Sequence, residues 1–82
     1  MNKGIFATES RKQNIRTTIS LLKQFRRQGD YVVKVSFLYS ALAIKLGITK
    51  RKFKEYLEVL EGQSLVTCDK DDLIINKRVE NV

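Results

Sequence analysis

Eighty-two residues, 43% hydrophobic and 30% charged, make one small globular domain and exclude a disordered chain. One cysteine and no histidine exclude an internal disulfide, a Cys/His zinc site and His-dependent nucleophilic catalysis, and the expected setting is reducing and cytoplasmic. The net charge of +7 is uneven, with 13 Lys/Arg against 4 Asp/Glu over residues 1–60 and 3 against 5 over residues 61–82, so the expected partner is a polyanion, a nucleic acid or an anionic membrane surface.

The chain is expected to form a single domain over 1–82, with 1–9 and 77–82 disordered. No apolar run approaches the roughly 20 residues that cross a bilayer. The apolar part of Met1–Thr8 is too short for a secretory signal. Ser10-Arg11-Lys12-Gln13 reads as a capping box that opens a helix. Ile15, Ile19, Leu22 and Phe25 follow at helical spacing, flanked by Leu21. Gly29 is placed to end that helix in the left-handed conformation after Gln28. Between Ser10 and Gln28 stand six Lys/Arg and no acid, so the helix has a core face and a basic face.

Tyr31–Val35 is short and β-branched, a strand or an extended link. Ser36 is expected to cap a second helix over about residues 37–46. Gly47 stops it, Ile48 plugs the turn, and Thr49 caps a third helix running to about Glu61. Phe53, Leu57 and Leu60 form the core stripe of the third helix, with Tyr56 and Val59 at its edge. Leu65–Cys68 and Leu73–Ile75 are short strands joined by the turn-rich Asp69–Asp72, a hairpin. The tail from Lys77 to Val82 is expected to fray.

The order helix-strand-helix-helix-strand-strand, three helices with a small antiparallel sheet, is an α+β arrangement. Residues 35–75 resemble the winged helix-turn-helix DNA-binding domain of many bacterial, archaeal and viral transcription regulators. The resemblance is carried by Leu42-Ala43, Leu46-Gly47-Ile48-Thr49, Phe53, Leu57, Leu60-Glu61 and Leu65-Val66. Many relatives place glycine just before the Leu65-Val66 position. Here Ser64 stands there, and Gly62 is expected to do the same steric job. The size and the lysine- and isoleucine-rich, proline-free composition also look like small regulators of archaeal viruses and plasmids.

The third helix carries the candidate chemistry. With Phe53, Leu57 and Leu60 inward, Lys50, Arg51, Lys54, Glu55 and Glu58 point outward and Lys52 lies on the flank. A recognition helix enters the major groove by its N-terminal end, where the helix dipole attracts phosphate. Arg51 can fork onto the two acceptors of guanine, and Lys54 can reach a base or a phosphate. Thr49 and Lys50 suit the backbone, Glu55 can accept from a cytosine amino group, and Ser36 and Lys70 complete the candidate DNA-contacting set. Three acids beside Lys70 predict a wing tip that adds little affinity. They lack the glycine and distal glutamate of a calcium loop. Cys68 reads as a small buried strand residue.

The second helix is apolar on more than one side. Leu38, Leu42 and Leu46 suit the core, whereas Phe37, Ala41 and Ile44 fall elsewhere, either under a cover built around Ile5 and Phe6 or as a self-association patch. The expected function is a sequence-specific regulator on double-stranded DNA, a homodimer on a palindromic site. The alternatives are a protein-docking or RNA-binding winged helix and a non-specific architectural DNA binder. A membrane-surface role for the first helix lacks the Trp anchors such helices use. No enzyme activity, cofactor, metal or small-molecule ligand is expected.

Overall fold

The fold was analysed in a computed structural model, which describes residues 3–82, with side chains from residue 10 onward. Three α-helices, a three-stranded antiparallel sheet and a closing 3-10 helix follow in the order α1 (Lys3–Arg27), β1 (Val32–Lys34), α2 (Val35–Leu46), α3 (Lys50–Gly62), β2 (Val66–Asp69), β3 (Asp72–Ile75) and the 3-10 turn Lys77–Asn81. This is the α+β layout expected from the element order, and it is compatible with a winged helix.

Helix α1 begins at Lys3, so Ser10 is an exposed residue inside the helix and not its cap. The capping-box pattern requires the chain upstream to leave the helix. Ile5-Phe6-Ala7-Thr8-Glu9 holds no residue that forces it to do so. Of residues 1–9, expected to be disordered, 1 and 2 lie outside the described residues and the rest continue α1 as backbone helix. The inward stripe is Ile15, Ile19, Leu22 and Phe25, with one addition, the fully buried Thr18. Its hydroxyl donates to the Asn14 carbonyl at 2.9 Å, which satisfies it without a tertiary partner.

At the far end Gly29 takes φ +87°. The Asp30 amide donates to the Phe25 carbonyl (2.9 Å) and the Gly29 amide to that of Arg26 (3.0 Å). These are the two bonds of a Schellman cap.

The sheet runs β1-β3-β2. Val32, Val33 and Lys34 pair with Ile74, Leu73 and Asp72, and Val66 through Asp69 pair with Ile75 through Asp72. Strand alternation sends Val33, Leu73, Ile75 and Val66 to the core side. Leu22, Leu38, Leu42, Phe53, Leu57, Leu60 and Leu65 meet them there.

Three local expectations are corrected. Ser36 does not cap α2: the helix starts at Val35, two residues earlier than expected, with Lys34 in the N-cap position and no side-chain cap bond. The Val35 amide is instead taken by the Asp71 carbonyl at 2.8 Å, so the sheet itself fixes where α2 begins. Gly62 does not supply the steric freedom at the end of α3. Ser64 does, at φ +61°, with Leu65 donating to Leu60 and Ser64 to Glu61, each at 2.9 Å, a second Schellman cap that tolerates a side chain.

The tail does not fray. Lys77–Asn81 forms a 3-10 turn, Val79 is fully buried, and the Asn76 amide donates to the Leu65 carbonyl at 3.0 Å. A single apolar residue among charged ones carries no periodicity, which is why the sequence pattern is silent about it.

Candidate nucleic-acid interface

The turn between α2 and α3 is built from local signals. Gly47 adopts φ +66° and its amide donates to the Ala43 carbonyl at 2.8 Å. Ile48 packs half-buried against the core. Thr49 then sits extended at the N-cap of α3, and its hydroxyl accepts from the Lys52 amide at 3.3 Å. One of the four orphan amides at the helix start is thereby satisfied. The amides of Lys50 and Arg51 have no partner inside the helix and add partial positive charge at this end.

Phe53, Tyr56, Leu57 and Leu60 are buried. Tyr56, expected at the edge, is only 3% exposed, because Asn14 of α1 donates to its hydroxyl at 3.1 Å. With about 100° per residue, this wide inward face puts Arg51 at the solvent apex, with Glu58 two turns behind it. Lys50 and Lys54 share the flank toward α2 and the hairpin. Lys52 faces the opposite flank, toward α1. Arg51, Lys50, Lys52 and Lys54 are all exposed.

Each flank borders a groove. The first is lined by Val35, Ser36, Tyr39, Lys50, Phe53, Lys54, Leu57 and Asp71. Its floor is the Tyr39–Phe53 ring pair, with centroids 5.2 Å apart. The structure thus brings Ser36 together with Lys50 and Lys54, although it is not the cap it was expected to be. The second groove holds Arg11, Asn14, Gly47, Ile48, Thr49, Lys52 and Tyr56. Arg11 there joins Lys52 across the turn, a neighbour that its position in the first helix does not reveal. Lys52 lies 3.6 Å from the Glu55 carboxylate one turn on, so each is partly neutralised by the other.

The wing stays close to the body. Asp69 and Asp72 still pair, leaving Lys70-Asp71 as the whole turn. Lys70 is exposed in the left-handed region at φ +56°. Asp71, not Lys70, is the turn residue that lines the groove beside Lys50 and Lys54. The Lys34 ammonium is 2.8 Å from the Asp72 carboxylate, which clamps the hairpin to β1.

The basic face of α1 divides. Arg11, Lys12, Arg16 and Arg27 are exposed. Arg26 turns inward: its guanidinium donates to the Ile75 carbonyl at 2.7 Å, approaches the Glu80 carboxylate at 3.4 Å and lies 4.6 Å over the Tyr31 ring. Lys23 donates to the Val82 carbonyl. Both hold the end of the chain in place. Burial pushes the Cys68 thiol above its ordinary value, and the neighbouring Glu61 carboxylate raises it further, so the reactive thiolate is disfavoured.

Among the described residues no group of three or more His, Cys, Asp or Glu side chains is placed to hold a metal ion, and no helix is long and apolar enough to cross a membrane. No protein-family model, curated protein or solved structure matches this chain.

Proposed function

We propose that the chain is a sequence-specific, double-stranded DNA-binding transcription regulator that inserts the N-terminal end of α3 into the major groove. It acts by occupancy, as a homodimer on a palindromic site. The carrying observation is the charge order of α3. Four cations crowd its first five residues, Lys50 to Lys54, and no acid stands in the first turn. Its acids, Glu55, Glu58 and Glu61, lie toward the other end.

Helix stability favours the reverse, acids first and cations last, by about 0.3–1 kcal/mol per charge. An arrangement that opposes its own dipole, on the exposed face of a helix opened by a cap, suits a polyanion at the N-terminal end. It also suits water or a cation at the C-terminal end. Arg51 at the apex reads a base edge, and Lys50, Lys54, Ser36, Lys52 and Arg11 grip phosphates on either side.

Selection of bound duplexes from a random pool, then a salt titration on the selected site, tests this. One enriched palindrome with affinity falling steeply as salt rises is the expected result. Binding without enrichment means an architectural DNA binder. No binding to duplex at low salt removes the proposal and leaves RNA or protein docking.

A further inference from the structure

Apart from the inward Arg26, the cations of α1 divide between two sides of the helix. One side borders the start of α3. There Asn14 donates to the Tyr56 hydroxyl, and Arg11 shares a groove with Thr49 and Lys52. The other side carries Lys12, Arg16, Lys23 and Arg27. At about 100° per residue these four fall within about 60° of one another, and Asn14 points about 170° away from their centre. They form a row about 22 Å long. Lys12, Arg16 and Arg27 are exposed, and Lys23 is half-buried where it donates to the Val82 carbonyl.

The row differs from an ordinary solvated face in two ways. The first is its single sign. Ser10–Gln28 holds no acid. Lys12 with Arg16, and Lys23 with Arg27, are like-charged pairs one turn apart, and each pair destabilises the helix. A surface needed only for solubility gains by alternating the signs at that spacing. Among the described residues Lys12, Arg16 and Arg27 make no ion pair. Glu80 borders Lys23 and Arg27 but is drawn to Arg26 at 3.4 Å.

The second is the company the row keeps. Gln13, Thr17, Ser20 and Gln24 flank it along one side. Lys and Arg with Ser, Thr and Gln are the side chains that bond the phosphate and sugar oxygens of DNA. Among its described side chains α1 exposes no bulky apolar residue, because Ile15, Ile19, Leu22 and Phe25 pack on the core. The face therefore lacks the apolar anchors that a membrane-surface helix inserts and the apolar centre of a protein-docking patch.

We propose that this row holds the phosphate backbone of a second DNA duplex, so that the protein bridges two DNA segments. A duplex seated on α3 lies on the Asn14 side of α1 and leaves the row free. The bridge rests on the reading of α3 for its first segment, whereas the second is gripped by α1 alone. Its contacts go to the backbone, so the second segment is held without regard to sequence and is released as salt rises.

The test is capture of one duplex by another. A bead-bound duplex carrying the selected site is loaded with protein at about 0.15 M salt, where the Debye length is about 8 Å. A fluorescent duplex of unrelated sequence is then added. Wild type is expected to retain it. The triple variant Lys12→Gln, Arg16→Gln, Arg27→Gln leaves the Lys23 contact intact and is expected to keep its melting temperature. Its affinity for the single site duplex, read by fluorescence polarisation, should stay within about three-fold of wild type. Its capture of the second duplex should fall about ten-fold or more.

Site binding without capture by wild type overturns the inference and leaves the reading of α3 intact. Loss of site binding itself, read by the same polarisation measurement, removes the reading of α3 and the bridge with it. A triple variant that captures as well as wild type also overturns the inference, because the second duplex then sits on α3 of another copy. Polyglutamate that displaces the second duplex as readily as unlabelled DNA does would make the row a site for acidic chains in general and overturn the assignment to DNA.

Discussion

The Lys34 ammonium and the Asp72 carboxylate face each other at 2.8 Å across the β1–β3 ladder. Together with the bond from the Val35 amide to the Asp71 carbonyl, this pair ties the hairpin turn to the first residue of α2. The wing is thus part of the body that positions α3, and its turn is held beside Lys50 and Lys54.

That pair has a pH signature. The hydrogen bond from Lys34 to Asp72, and then the attraction between their charges, hold the Lys34 ammonium above the ordinary lysine range. A raised folded-state value means that its stabilisation is complete below the unfolded lysine pKa and is lost as pH rises through the higher folded value. NMR titration of the lysine ammonium groups should show Lys34 deprotonating at a higher pH than in the Asp72→Asn variant. Identical values in the two proteins would show that the pair does not persist in solution.

Ser64 and Gly62 make opposite predictions. Ser64→Gly removes a left-handed strain and should stabilise the domain by about 0.5–1 kcal/mol. Gly62 is helical with open space around its Cβ position. Gly62→Ala should therefore also stabilise, by about 0.5–1 kcal/mol. Gly47→Ala, forced to φ +66°, should destabilise by about 1 kcal/mol. Urea unfolding ranks the three, and a destabilised Gly62→Ala would restore Gly62 as the hinge of that turn.

Val79 is fully buried in the closing 3-10 turn. Val79→Ala should cost about 1–3 kcal/mol, a large share of the stability of so small a domain. Thermal unfolding within error of wild type would mean that the tail is undocked in solution.

Arg26 separates structure from binding. Its side chain is 15% exposed and engages Ile75, Glu80 and Tyr31. Arg26→Met should lower stability by about 1–3 kcal/mol and leave the salt dependence of DNA binding unchanged. Lys12→Met, at an exposed position on the same helix, should leave stability within about 0.5 kcal/mol of wild type. A shallower salt slope for Arg26→Met would make Arg26 a phosphate contact.

At the proposed interface, Arg51→Ala should cost about 1–3 kcal/mol on the selected site and relax the choice of base there. Lys70→Ala should change affinity far less, because Asp69, Asp71 and Asp72 surround it. Equal loss of affinity on every sequence would reassign Arg51 to phosphate. A large loss on substituting Lys70 would restore the wing as a DNA contact.

The turn that opens α3 was legible because its causes are local. Gly47 needs only its own backbone freedom, and the Thr49 hydroxyl reaches an amide three residues away. The exposed cations of α3 follow equally directly from helical spacing against a clear apolar stripe. Other features depended on residues far apart in the chain.

Tyr56 is buried because Asn14 reaches it from 42 residues away, and Arg26 turns inward because Ile75 and Glu80 are placed against it. Val79 docks on a core that the preceding elements assemble. Ser64 takes the left-handed conformation because Leu65 must enter the same core as Leu60. Local hydrogen bonds and backbone freedom are written in neighbouring residues, and the sequence by itself determined those parts. Desolvation and partner choice across the fold belong to no neighbourhood of the chain, so only the tertiary structure decided them.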